Sequence, residues 1–259
     1  MTKKGRLTKE EQARRFKLLL KFIFTFRYAT RKQLDAFSKL VIGLKYPQWL
    51  VEYSIKQGLI SEYKEPEFRS KIYHLTRKGK SILKAEEPKV SYYHFEKRHA
   101  GMNTFGHHNL LVESFFLLQK HREIKEWVCE WVLRINKHKM DKIPDGLLIL
   151  QDETKIALEV ETSYKTKEAW RTVVTLYHYD IEKISRYDAV LVVALDTLNY
   201  ESIKRKLYNI DPEFCARNFI LTEVNMLKLD LCFYQANTST FSETLGLLNE
   251  KGVSHAKRI

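Results

Sequence analysis

Only three cysteines occur in 259 residues, Cys129, Cys215 and Cys232, and none stands in a CxxC spacing. That excludes a disulfide framework and offers little to a zinc site; the three read as buried thiols of a reducing compartment. No run of eighteen uncharged apolar residues occurs. The most apolar early stretch, Phe16 to Phe26, is interrupted by Lys21 and is too short to span a bilayer. Met1 to Gly5 has neither an apolar signal core nor a small-residue cleavage site, so a cytoplasmic protein without a membrane partner is expected. A P-loop and a G-x-S-x-G elbow are both missing, which argues against an ATPase and a serine hydrolase.

Acidic charge is scarce in one part of the chain. The first hundred residues carry 24 Lys or Arg against 10 Asp or Glu, while residues 101–259 carry 21 against 22. The whole net charge of +13 therefore belongs to the front of the molecule. A domain of that sign and density expects a polyanion, most simply double-stranded DNA.

Helical signals begin at once. Thr8 with Glu11 forms a capping-box pattern, and Ala13, Phe16, Leu20, Ile23 and Phe24 recur at helical spacing. Thr30 with Gln33 opens a second helix carrying Leu34, Phe37 and Leu40. A third starts near Pro47 and ends at Gly58. Two extended stretches follow, Leu59 to Tyr63 and Lys71 to Leu75, around a charged tip from Lys64 to Ser70. Thr76 caps a helix from Arg77 to Leu83.

Three helices, a hairpin and a closing helix over residues 8–85 resemble a winged helix-turn-helix. The resemblance is carried most closely by Gly58-Leu59-Ile60 and by Ile72 to Gly79. It implies a third helix in the major groove and a wing on the backbone. Lys45, Tyr46, Gln48 and Trp49 would then face DNA from helix three, Arg31 and Lys32 from helix two, and Arg69 and Lys71 from the wing. Trp49 reads equally well as core, and winged helices also serve as protein-interaction or dimer modules, so a homodimer stays open.

Residues 86–105, with Pro88, Tyr92, Tyr93 and Phe95, read as a linker that docks on a domain. A second domain covers 106–236. A helix from Leu110 to Lys120 leads into strands Trp127–Ile135, Ile143–Leu150 and Lys155–Glu161. A long helix, Lys167 to Ile184, precedes the apolar strand Ala189–Leu195. A helix, Tyr200–Tyr208, and a strand, Phe219–Val224, follow. That order expects an α/β domain with a mixed sheet, ahead of a polar tail over 237–259. The fold class of the whole is a two-domain α+β and α/β chain.

The acids stand out in this second domain. Pro144-Asp145 precedes Glu159-Val160-Glu161 by fourteen residues, and strand alternation puts Glu159 and Glu161 on one face with Lys155 and Ala157. Pro-Asp-Gly is also an ordinary turn, and Glu-x-Glu is ordinary on an exposed edge strand. Yet Leu147 to Leu150 and Ile156 to Leu158 are too apolar for an edge, and acids at the ends of buried strands need a partner. Three converging carboxylates suit Mg²⁺ or Mn²⁺ and phosphodiester chemistry.

Those acids and that order resemble the PD-(D/E)xK nuclease-like fold. The resemblance implies Asp145 and Glu159 as metal ligands, Glu113 as the helix acid, and Glu161 as the group that orients or deprotonates water. Glu161 stands where the family usually has lysine, and Lys165 or Lys155 could supply that charge. The whole layout resembles the replication-relaxation family, through His108, Asn109, Glu113, Glu130, Pro144, Asp145, Glu159 and Glu161. Membership would imply an accessory protein of plasmid mobilisation or replication that cooperates with a relaxase or replication protein. Two other functions fit the same residues: an active Mg²⁺-dependent endonuclease, or a winged-helix repressor whose second domain dimerises or senses a ligand. His107 and His108 read as capping or packing residues, and Trp170, Arg171 and Tyr177 as core and rim of the long helix.

Overall fold

The computed structural model describes residues 8–64, 71–136 and 142–229. The chain is mixed α and β, with two sheets, and divides into two compact units, one up to Phe105 and one from Gly106. No helix among the described residues is long and apolar enough to cross a membrane. Cys129 and Cys215 are buried free thiols; Cys232, Arg69 and the polar tail lie outside the described residues.

In the first unit, α1 (Lys9–Phe26) is capped by Thr8, whose hydroxyl accepts from Glu11 N–H. Phe16, Leu19, Leu20, Phe22, Ile23, Phe24 and Phe26 are all buried, so the helix is covered on more than the single stripe its spacing predicts. A two-residue strand, β1 (Ala29–Thr30), leads into α2 (Arg31–Leu40) through a complete capping box between Thr30 and Gln33. Next come α3 (Gln48–Lys56), β2 (Ile60–Lys64), β3 (Lys71–Leu75) and α4 (Arg77–Leu83). The three strands form a sheet in the order β1-β3-β2, antiparallel throughout. Leu40 is exposed rather than buried; the inward stripe of α2 is Leu34, Phe37 and Ser38.

Residues 86–105 belong to this unit. Tyr93 is buried, donates to Arg27 O and accepts from Leu75 N–H at 3.1 Å, tying the segment to α1 and β3. Ala100 packs with Tyr28 and Ile72, with Phe95 and Phe105 beside them.

The second unit opens within α5 (Met102–Leu118), which starts in the first, and goes on with β4 (Ile124–Cys129), α6 (Glu130–Leu133), β5 (Gly146–Leu150) and β6 (Lys155–Glu161). It continues with α7 (Lys167–Glu182), β7 (Ala189–Ala194), α8 (Thr197–Tyr208), α9 (Pro212–Asn218), β8 (Phe219–Glu223) and α10 (Val224–Lys228). The five strands run in sequence order, antiparallel from β4 to β6 and parallel from β6 to β8. A short turn joins β5 to β6, and β4 reaches β5 by way of α6; the parallel pairs need the helical crossovers that α7, α8 and α9 provide.

The strand expected over Trp127–Ile135 differs. Trp127, Cys129, Trp131 and Leu133 keep a period of two, but the backbone leaves the sheet at Cys129 and turns into α6. The strand expected from Ile143 begins at Gly146, because Pro144 has no N–H for the ladder.

The two faces of the sheet carry different cores. Ile156, Leu158 and Val160 face Leu110, Leu118, Val224 and Leu227, while Ala157 faces Trp170, Val174, Tyr177 and Tyr200. Alternation along β6 puts Glu159 and Glu161 on the Ala157 side, under α7.

Candidate functional site

Asp145 sits where β5 begins. Its carbonyl accepts from Glu130 N–H at 3.2 Å, and its Oδ2 accepts from Val160 N–H at 2.8 Å, so it bridges the end of β4 and the end of β6. The pairing of Gly146 with Leu158 makes Glu159 the next residue opposite Asp145. Two carboxylates thus meet across the hairpin, and β6, the middle strand, holds both Glu159 and Glu161 more than nine-tenths buried.

Each acid has its own cation. His107, at the start of the α5 stretch in this unit, brings Nε2 to 3.2 Å from Asp145 Oδ2. Lys142 Nζ lies 2.6 Å from Glu159 Oε1, which also accepts the hydroxyl hydrogen bond of Tyr177. Lys165 Nζ lies 2.5 Å from Glu161 Oε2, and Ser163 donates to Glu161 Oε1 through N–H at 3.1 Å and Oγ at 2.9 Å. The two lysines repeat one arrangement. Lys142 lies over the Tyr177 ring at 5.8 Å from its centroid, and Lys165 over the Trp170 ring at 5.4 Å. Trp170 and Tyr177 are two turns apart on one face of α7, matched to glutamates two residues apart on one face of β6. An ammonium on an aromatic face gains from the ring's quadrupole while it neutralises the carboxylate.

Burial and charge work against each other here. Burial lifts the Glu159 carboxyl, and the neighbouring Asp145 charge lifts it further, against the opposing pull of Lys142 and Tyr177. Burial also acts to raise Asp145, but the His107 bond and charge, with Val160 N–H and Lys142, bring it below the usual range. Burial would depress the His107 imidazole; its bond to Asp145 and the charges of Asp145, Glu130 and Glu161 raise it instead. His108, fully enclosed beside His107, is pushed down to about 3 and stays neutral.

Hard cations such as Mg²⁺ take oxygen ligands and keep several waters. Among the described residues every contact to the Asp145 carboxylate falls on Oδ2 and every contact to the Glu159 carboxylate on Oε1. The second oxygen of each carboxylate therefore keeps lone pairs for such an ion, and this pair fits it. Glu161 does not make a third ligand, because both its oxygens are engaged by Ser163 and Lys165; no group of three acid, histidine or cysteine side chains close enough to hold one metal occurs among the described residues.

Glu113, the expected helix acid, points elsewhere: it pairs with Lys228 of α10 at 2.9 Å. The residue of α5 that reaches Asp145 is His107. Of the two lysines weighed for the missing positive charge, Lys165 stands at Glu161, whereas Lys155 is exposed at the opposite end of β6. Sequence reading did not anticipate Lys142, Ser163 or the Tyr177 hydroxyl. Only the position of Lys142, three residues before Asp145, carried a trace of its role.

In the first unit, Lys32, Lys45, Tyr46 and Gln48 are exposed, and Lys45 Nζ lies 5.5 Å from the Tyr46 ring centroid. Trp49 is half-buried with its ring edge-on to Phe16 at 6.0 Å. Two of the expected phosphate contacts are already occupied by acids. Arg31 pairs with Asp35 at 3.2 Å and with Glu52 at 3.6 Å, and Lys71 pairs with Glu62 at 2.8 Å.

No protein-family model matches the chain, and no curated protein matches it.

Proposed function

We propose that this chain is a DNA-binding accessory protein of plasmid or mobile-element mobilisation or replication. In this reading a winged helix-turn-helix grips the duplex and a PD-(D/E)xK nuclease-like domain follows it. A relaxase or replication protein is the partner. The observation that carries the reading is the meeting of Asp145 and Glu159 at one end of a buried hairpin, in a chain whose excess positive charge lies wholly in its first hundred residues. The exposure of Lys32, Lys45, Tyr46 and Gln48 supports the DNA-binding half.

Cleavage is the second reading, favoured by the oxygens that Asp145 and Glu159 leave without hydrogen bonds. Asp145 and Glu159 would hold Mg²⁺ or Mn²⁺, which supplies a Lewis acid to a phosphodiester oxygen. The protein's own groups do the rest of the arranging. His107 holds a proton at Nε2 against Asp145, and Ser163 fixes the Glu161 carboxylate. Lys165 keeps positive charge beside it.

Gel retardation of duplex oligonucleotides by the full chain at low ionic strength tests the first reading; absence of any retarded band removes it. Supercoiled plasmid incubated with Mn²⁺ tests the second. Nicking by the wild type that disappears in Asp145→Asn supports an endonuclease, and retention of the supercoil by the wild type leaves an accessory protein without cleavage.

A further inference from the structure

The Lys142 ammonium lies against Glu159, one of the two carboxylates that a divalent cation would need. Its Nζ is 2.6 Å from Glu159 Oε1, its charge also acts on Asp145, and it rests on the Tyr177 ring. The side chain is four-fifths buried, so water screens it little. Chain geometry reinforces the placement: Lys142 precedes Asp145 by three residues, so whatever moves the strand entrance moves both groups. An ammonium is a compact point charge, and no second cation can approach the same two carboxylates without strong repulsion at the short distances metal ligation requires.

We infer that Lys142 is a built-in competitor for a divalent cation at Asp145 and Glu159, so that metal enters only as the ammonium leaves. The inference rests on the proposed metal role of those two acids and deepens it by naming the residue that sets the affinity. Lys165 is set apart from this role, because it pairs with Glu161, whose Oε1 is held by Ser163 N–H and Oγ, and not with either of the two proposed ligands. The consequence is a pocket that is electrically satisfied without metal and binds metal weakly until something draws Lys142 away. A phosphate oxygen of a bound nucleic acid is the group whose charge would do so.

Mn²⁺ titration of the full chain, followed by the paramagnetic signal of free Mn²⁺, tests this without any assay of cleavage. Lys142→Met keeps the aliphatic stem over Tyr177 and removes the charge; Lys142→Gln serves where Met impairs folding, and Lys142→Arg restores a cation. Binding at least tenfold tighter in Lys142→Met or Lys142→Gln than in the wild type, with Lys142→Arg close to wild type, is the expected result. Adding Asp145→Asn to Lys142→Met should abolish the gain. Tight wild-type binding that the neutral variants equal or weaken overturns the competitor while leaving the metal role of the two acids intact. No binding by either the wild type or the neutral variants overturns both.

Discussion

Tyr177 and Glu159, eighteen residues apart, meet at one hydrogen bond in which the phenol hydroxyl donates to Glu159 Oε1. Both side chains are buried, so the bond fixes the register of α7 over β6 at the point where the carboxylates gather. Burial and the adjoining Glu159 charge together push the Tyr177 hydroxyl well above its ordinary value, so it remains a donor at every ordinary pH.

Tyr177→Phe removes that donor without opening a cavity. A buried carboxylate that loses one hydrogen bond costs about 1–3 kcal/mol. Urea unfolding of the variant should show a loss in that range with an unchanged slope, and an unchanged midpoint would count against the bond.

Asp145 serves the fold as well as the site, because it accepts from Val160 N–H. Asp145→Ala leaves that N–H without an acceptor and should lose about 1–3 kcal/mol. Asp145→Asn keeps an acceptor oxygen and should retain more of the stability. A thermal melt of the two variants side by side checks the order.

The His107–Asp145 pair has a defined pH window. The folded His107 imidazole titrates above its ordinary 6.5, so its contribution is fully present below that value and is lost as pH rises through the higher folded value. Asp145 titrates below its ordinary 3.8, so its contribution is present above that value and is lost as pH falls through the lower folded one. Proton NMR should place the His107 midpoint above 6.5 in the wild type, and Asp145→Asn should lower it. A midpoint that stays put in the variant would break the assignment.

Gly79 of α4 lies against the backbone just before β2, and a Cβ there would overlap the carbonyl oxygen of Leu59. Gly79→Ala should therefore destabilise the first unit by about 1–3 kcal/mol, as overpacking does. Calorimetry of the full chain should show the loss, and a transition as high as the wild type's would count against the overlap.

Salt dependence separates the exposed cations from the paired ones. Lys45 is exposed, and under the proposed DNA-binding reading Lys45→Ala should shrink the slope of log affinity against log salt by about 0.9, the value for one phosphate contact. Arg31 is held by Asp35 and Glu52, so Arg31→Ala should change the slope less. Equal slopes for the two variants would remove the distinction.

Much of the fold is legible in the chain. Thr8, Thr30 and Thr76 cap their helices as short hydroxyl residues do, and the apolar runs of β5, β6 and β7 lie inside the sheet. The same-face relation of Glu159 and Glu161 follows from strand alternation alone. What escapes is set by tertiary contact. Period two carried the reading of β4 beyond Cys129 because Trp131 and Leu133 keep the alternation while lying on a helical turn. The roles of His107, Lys142 and Tyr177 depend on which elements pack together, and no local pattern marks a lysine that will lie against a tyrosine thirty-five residues away.

The Tyr93 hydroxyl, lodged between Arg27 O and Leu75 N–H, decides where the amino-terminal half can be cut. A fragment stopped at residue 85 would lose that clasp, together with buried Val90 and Ala100, and expose the aromatic surface they shelter. Such a piece would tend to aggregate for reasons unrelated to DNA, whereas one carried through Phe105 retains the clasp and the cluster around Ala100.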